Sequence, residues 1–120
     1  MLSYKENQLF VGSYDENVCI YDVRNLKQSL DEINVGGGVW RIKQSKSEDN
    51  TLLIACMYHN FSIVDCSSNL KLIGEYNEHK SICYGCDWSP RNCENYQFFA
   101  ACSFYDHRLS LCRVKNVKRE

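Results

Sequence analysis

Apolar residues recur at every second position on the far side of a polar turn in "GSYDENVCIYDVR", Gly12 to Arg24, where Val18 and Ile20 are the apolar pair. Successive side chains of a strand point to opposite faces, so alternation across a short polar turn predicts a β-hairpin. The pattern returns in "ACMYHNFSIVDC", Ala55 to Cys66, with Phe61 and Ile63, and in "ACSFYDHRLSLCRVK", Ala101 to Lys115, with Leu109 and Leu111. A tyrosine opens each turn. Tyr14, Tyr58 and Tyr105 are spaced by about 44 and 47 residues, close to the roughly 40–45 residues of a four-stranded propeller blade.

A second repeated element precedes the two later hairpins, "VWRIKQSK" from Val39 and "CYGCDWSP" from Cys83. Trp40 aligns with Tyr84, Ile42 with Cys86 and Ser45 with Ser89. One more short strand lies between each hairpin and the next such element, at Asp31 to Val35 and at Leu70 to Tyr76. The stretch Asn25 to Ile33 has a weak helical pattern and is read as a loop into the outer strand. The fold predicted is all-β, an incomplete array of about two and a half four-stranded antiparallel propeller blades. It divides into a partial blade over 8–35, a blade over 36–76, a partial blade over 77–115 and a basic tail over 116–120. The first hairpin is expected to lack its inner strand, since only "MLSYKEN" precedes Gln8.

Propellers close with typically 4 to 8 blades, which removes exposed strand edges. So short an array is expected to be a C-terminal piece of a longer propeller, or to self-associate through its open blade edges. Alone it should be marginally stable, because stability in a repeat array comes largely from neighbour stacking.

Composition narrows the partners. Fourteen basic residues against fifteen acidic ones leave no electrostatic footprint for nucleic acid or an anionic membrane. No run approaches the roughly 20 apolar residues of a membrane span, and "MLSYKENQLF" lacks the apolar core of a signal peptide. A cytosolic chain is therefore expected, with its eight cysteines read as reduced, mostly buried thiols. In that setting the sequon Asn60-Phe61-Ser62 carries no meaning.

The repeat resembles that of the WD40 propeller family, which tends to carry Gly-His before its inner strand, Asp in the tight turn of the hairpin and Trp-Asp after it. Here Glu78-His79 stands for Gly-His, and Asp15 and Asp106 hold the turn position that His59 takes in the middle copy. Tyr21-Asp22 and Val64-Asp65 replace Trp-Asp, and Cys112-Arg113 departs altogether. More specifically, "GGGVWRIK", "ACM", "CYGCDWS" and "CSFYDH", in this order between Gln8 and Lys115, are similar to the C-terminal blades of the WD-repeat diphthine methylesterase family. Gln44-Ser45-Lys46 departs from that family in the loop leaving the inner strand. The resemblance implies a carboxylic ester hydrolase acting on methylated diphthine, the modified histidine of translation elongation factor 2. Hydrolysis would free the carboxylate for the final amidation to diphthamide, and the 120-residue chain alone would be inactive.

The family-like strings are expected to converge on one rim of the propeller. His59 is the candidate general base, being neutral imidazole near pH 7, or else a tolerated turn residue. Arg41 would pair with a carboxylate or an oxyanion, or bridge blades. The amides of Gly36, Gly37 and Gly38 would form an oxyanion hole, or the run is a flexible bend. Trp40 and Tyr84 would stack on the substrate's ring or quaternary ammonium, or pack between blades; Tyr58 and Tyr105 lie beside them. Ser13 and Ser103 are weak nucleophile candidates, since no G-x-S-x-G elbow occurs. His79 is read as the repeat's structural histidine, and His107 beside Asp106 as structural too. Cys83 and Cys86 have the spacing of a zinc half-site, but residues three apart on a strand diverge unless it bulges. No metal and no cofactor are expected, and Cys93 falls in a loop. The rival readings are a non-catalytic WD40 interaction module and a zinc-stapled small domain.

Overall fold

The computed structural model describes residues 2–5, 7–45, 50–90 and 96–115. They form three antiparallel sheets in chain order. The first holds β1 (Leu2–Lys5), β2 (Gln8–Gly12), β3 (Asn17–Asp22) and β4 (Asp31–Asn34). The second holds β5 (Arg41–Gln44), β6 (Thr51–Cys56), β7 (Asn60–Asp65) and β8 (Lys71–Tyr76). The third holds β9 (Cys83–Trp88), β10 (Tyr96–Ser103) and β11 (Leu109–Lys115). The stretch from Asn25 runs as a loop into β4, as its sequence suggested.

The first sheet corrects the expectation of a missing inner strand. β1 pairs with β2 from Leu2 opposite Val11 to Lys5 opposite Gln8. A four-residue strand fits within the seven residues ahead of Gln8, and it carries too few side chains to show alternation. Among the described residues the array is therefore two four-stranded blades and a three-stranded third. The third copy's tail, residues 116–120, and Cys93 lie outside the described residues.

Two apolar seams hold the sheets together. Phe10, Val18, Ile20 and Val39 meet Ile42, Leu52, Ile54 and Val64 between the first and second. Leu53, Phe61 and Ile63 meet Cys86, Trp88 and Phe99 between the second and third. Polar bonds stitch the same seams. The Leu70 N–H donates to Asp31 Oδ2 at 2.8 Å, and Trp88 Nε1–H donates to the Lys43 carbonyl at 2.9 Å. The Ser45 hydroxyl, in the departing Gln44-Ser45-Lys46 string, donates to Gln97 of the third sheet. Within the sequon, Asn60 and Ser62 are buried in β7, so no glycan fits there.

Strand β9 bulges. Gly85 pairs with Cys102 and Cys83 with Ser103, which leaves Tyr84 as the extra residue. A bulge re-aims side chains locally, and here it turns Tyr84 toward the rim while Cys83 and Cys86 both enter the seam. The two thiols thus share one buried cluster, where an unbulged strand would have sent them to opposite faces. Burial pushes both thiols up to about 12 and Cys56 up to about 11. Protonated thiols at neutral pH are poor nucleophiles, so none of the three suits covalent catalysis.

Candidate functional site

The three hairpin turns and the segments entering β5 and β9 open on one rim. Tyr14, Tyr58 and Tyr105 stand exposed there, one per turn. Three clefts adjoin there, with Tyr14 lining all of them, Tyr58 two and Tyr105 one. A cleft of about 290 Å³ is walled by Tyr14, Trp40, Tyr58, Tyr84, Phe104 and Tyr105, with Met57 and Ile82 between them. Its rings form a curved run: Trp40 and Tyr84 lie 5.4 Å apart at 37°, Tyr84 and Phe104 5.6 Å at 41°, and Phe104 and Tyr105 5.0 Å at 89°. Four of the expected binding residues, Trp40, Tyr58, Tyr84 and Tyr105, therefore come together. Phe104 was not singled out in the sequence, although it sits inside the quoted "CSFYDH".

A second cleft, about 370 Å³, is lined by Gly36, Gly37, Gly38, Met57, Tyr58 and His59, among others. The glycine run is required by close approach. Gly36 has φ of 86°, the left-handed region that favours glycine. A Cβ on Gly37 would lie 2.6 Å from the Cys56 carbonyl oxygen, and one on Gly38 2.8 Å from Met57 Sδ. So the run lies flat on the turn between β6 and β7, in place of the flexible bend that composition alone allows. The Gly36 N–H donates to Asn34 Oδ1 at 2.9 Å. The Gly37 and Gly38 N–H groups have no hydrogen-bond partner among the described residues.

His59 is half-exposed beside that run, its Nε2 3.5 Å from Glu75 Oε1. Glu75 comes from β8 and was not foreseen, because it is separated from His59 by a whole strand in sequence and only the pairing of β7 with β8 brings it near. Arg41 sits elsewhere on the rim, in a third cleft of about 320 Å³ with Ser13, Tyr14 and Trp40. The structure thus does not seat His59 and Arg41 in one cleft. The Arg41 guanidinium makes no hydrogen bond or ion pair among the described residues.

The weaker candidates fall into place as turn and seam residues. The Ser13 hydroxyl donates to Asp15 Oδ1 at 2.7 Å, which also accepts from the Asn17 N–H at 3.1 Å, a side-chain closure of the turn. His107 is an exposed turn residue with φ of 51°. His79 is buried against Phe61 and Tyr76. Its Nδ1 lies 2.6 Å from Ser103 Oγ and its Nε2 2.9 Å from Ser110 Oγ.

The protons in that network have one consistent arrangement. The Tyr76 hydroxyl donates to Ser110 Oγ at 2.9 Å, and the Ser103 hydroxyl donates to Asp106 Oδ1. Ser110 then donates to His79 Nε2, and His79 Nδ1–H donates to Ser103. Burial, and then the nearby Arg108, hold the His79 imidazole below its ordinary pKa, against the pull of Asp106. The Ser103 hydrogen bond holds the Asp106 carboxyl below the usual carboxylate range. A catalytic triad runs carboxylate to imidazole to hydroxyl. Here the hydroxyl stands in the middle and spends its proton on the carboxylate, so Ser103 is a clamp.

No family model matches the sequence. The chain is 43% identical over 116 residues to a diphthine methyltransferase homolog of Dictyostelium discoideum, covering 88% of this chain and 32% of that protein. It is 38% identical over 92 residues to the diphthine methyltransferase of Homo sapiens, covering 72% of this chain and 20% of that protein. The protein of that name from Saccharomyces cerevisiae is 35% identical over 129 residues, covering 88% and 32%. The chain belongs to the diphthine methyltransferase family. It spans about a third or less of the length of these relatives.

Solved structures show the fold. A chain of the mitotic checkpoint complex covers 96% of this chain, and is itself covered for 36%, with a TM-score of 0.76 at 17% identity. The WD40 domain of Toxoplasma gondii coronin covers 96%, and is covered for 30%, with a TM-score of 0.71 at 13% identity. In this member of the diphthine methyltransferase family the blades are WD40 blades. The strings that carried the resemblance meet at the rim, with Gly37, Gly38, Trp40, Met57, Tyr84, Phe104 and Tyr105 all lining its clefts.

Proposed function

We propose that this chain supplies one rim of a cytosolic protein methylesterase that hydrolyses the methyl ester of methylated diphthine on translation elongation factor 2. The observation that carries the reading is the second cleft, where two unpaired backbone donors, Gly37 and Gly38, lie beside the half-exposed His59 and next to an aromatic wall. His59, oriented by Glu75, takes a proton from water as the water oxygen attacks the ester carbonyl carbon. The Gly37 and Gly38 amides receive the charge that develops on the carbonyl oxygen. The C–OCH3 bond then breaks and methoxide leaves with a proton as methanol, while diphthine keeps the carboxylate. Trp40 and Tyr84 hold the modified histidine, and its quaternary ammonium gains about 0.5–2 kcal/mol against an aromatic face. Arg41, from its separate cleft, pairs with an acidic group of the factor. Neither a metal nor a cofactor enters these steps.

The relatives' name, diphthine methyltransferase, favours a second reading, addition of a methyl group to diphthine. The two differ in the direction of methyl flow. Elongation factor carrying methylated diphthine would be incubated in ¹⁸O-water with this chain and with a longer form that carries these residues and further blades. Hydrolysis releases unlabelled methanol and places one ¹⁸O in the diphthine carboxylate, expected only with the longer form. Methyl uptake by unmethylated factor, with no methanol from the ester, would establish the transfer reading instead. Binding by both forms without either reaction would leave a WD40 interaction module.

A further inference from the structure

We propose that the Arg41 cleft is the product side of the rim: on hydrolysis the freed carboxylate of diphthine swings out of the glycine cleft onto the Arg41 guanidinium, while its quaternary ammonium stays on Trp40. This names the acidic group that Arg41 pairs with, and its order of events rests on the esterase reading above. The distribution of charge over the three clefts carries it. The glycine cleft is acidic, since Glu16 lines it and Glu75 Oε1 lies 3.5 Å from His59 Nε2 at its side. The aromatic cleft has no charged residue among those that line it. The cleft with Ser13, Tyr14 and Trp40 has one, Arg41, and its guanidinium makes no hydrogen bond or ion pair among the described residues.

A neutral methyl ester is indifferent to this pattern, and a carboxylate is not. Hydrolysis places a new negative charge near Glu16 and Glu75, where like charges repel. A guanidinium offers the same carboxylate two parallel charge-assisted hydrogen bonds. Trp40 lines both the aromatic cleft and the Arg41 cleft, and Tyr14 lines all three. An ammonium held on these rings is therefore a pivot for the carboxyl group it carries along. The Arg41 cleft is also built from chain on both flanks, the turn between β2 and β3 on one side and the segment entering β5 on the other. The Val39 N–H ties the two together by donating to the Ser13 carbonyl at 2.9 Å. A product drawn off the glycine amides leaves His59 free for the next water, and the retained zwitterion competes with incoming ester.

A betaine and its methyl ester share one quaternary ammonium and differ in the charge of the carboxyl group. N,N,N-trimethylalanine and its methyl ester, titrated into the ¹⁵N-labelled chain, should both shift the Trp40 indole N–H. The ester should also shift the Gly37 and Gly38 amides, and the betaine the Arg41 Nε–H. Arg41→Gln should weaken the betaine by about 10-fold or more, the loss expected for a hydrogen-bonded charge pair, and leave ester affinity unchanged. Glu16→Gln should strengthen betaine binding and let it shift the Gly37 and Gly38 amides too. Equal affinities of the two ligands for the wild-type chain, a betaine preference that survives Arg41→Gln, or no shift with either ligand overturns the proposal. The esterase reading fails separately. Methanol release by the longer form alongside equal affinities keeps the esterase and removes the subsite, whereas an Arg41-dependent betaine preference without methanol release keeps the zwitterion subsite and removes the esterase.

Discussion

Phe61→Ala should cost about 3–5 kcal/mol of folding stability, the range for emptying a buried aromatic site. Phe61 is fully buried. Its ring packs edge-on to His79 at 5.2 Å and 72° and lies 6.4 Å from Tyr76, at the middle of the seam between the second and third sheets. A small domain is stable by only about 5–15 kcal/mol in total, and an array with two seams has few neighbour contacts to lose. The substitution should therefore separate the third sheet from the second. Leu109→Ala, at the equivalent position one sheet on, removes an exposed side chain and should change stability by less than about 0.5 kcal/mol. Urea midpoints of the two variants check the contrast. Equal losses would mean that Leu109 is covered in solution, against the 69% exposure seen here.

Gly37→Ala should lower kcat for ester hydrolysis by about 10²–10³-fold in a longer, active form, the loss typical of removing an oxyanion donor. The added Cβ would meet the Cys56 carbonyl oxygen at 2.6 Å and His59 Cβ at 2.7 Å. The first is backbone within a paired strand and cannot swing aside, so the glycine run lifts from the turn and takes both free amides with it. Gly74→Ala is the control, for its Cβ would meet only Ile63 at 3.8 Å, ordinary contact. Kinetics of both variants with the methylated factor, alongside thermal melts, separate chemistry from stability. Turnover that survives Gly37→Ala in a folded chain would remove the oxyanion role.

The hairpins were legible because alternation in a half-buried strand is written directly in residue type. Val18 and Ile20, Phe61 and Ile63, and Leu109 and Leu111 share one register across three sheets. What alternation cannot say is whether a neighbour covers the apolar side, so the same pattern is buried in two copies and bare in the third. β1 was missed because four residues hold too little pattern. The bulge at Tyr84 was left open because a bulge is an event of pairing, and its partner residues Cys102 and Ser103 lie about eighteen positions away.

The site divides the same way. Trp40, Tyr58, Tyr84 and Tyr105 were readable from repeat position alone, since equivalent turns of stacked sheets share a rim. Their neighbours Phe104 and Glu75 were not, being fixed by ring packing and by the β7–β8 register. The glycine run was visible but its reason was not. Composition suggests looseness, whereas the positive φ at Gly36 and the contacts of Gly37 and Gly38 show a segment pressed against a turn. His59 and Arg41 both lie on the turn-side rim, yet nothing in their spacing told that they line separate clefts, which share Tyr14.

The central claim is that the turn-side rim meets the substrate, and amide hydrogen exchange of this chain with and without the methylated elongation factor tests it most directly. Protection is expected at residues 36–41, 57–59, 82–84 and 103–106, with the opposite rim around Asn7, Arg24, Asn50 and Ser67 unchanged. Protection confined to that opposite rim, with the aromatic clefts exchanging as freely as before, would contradict it.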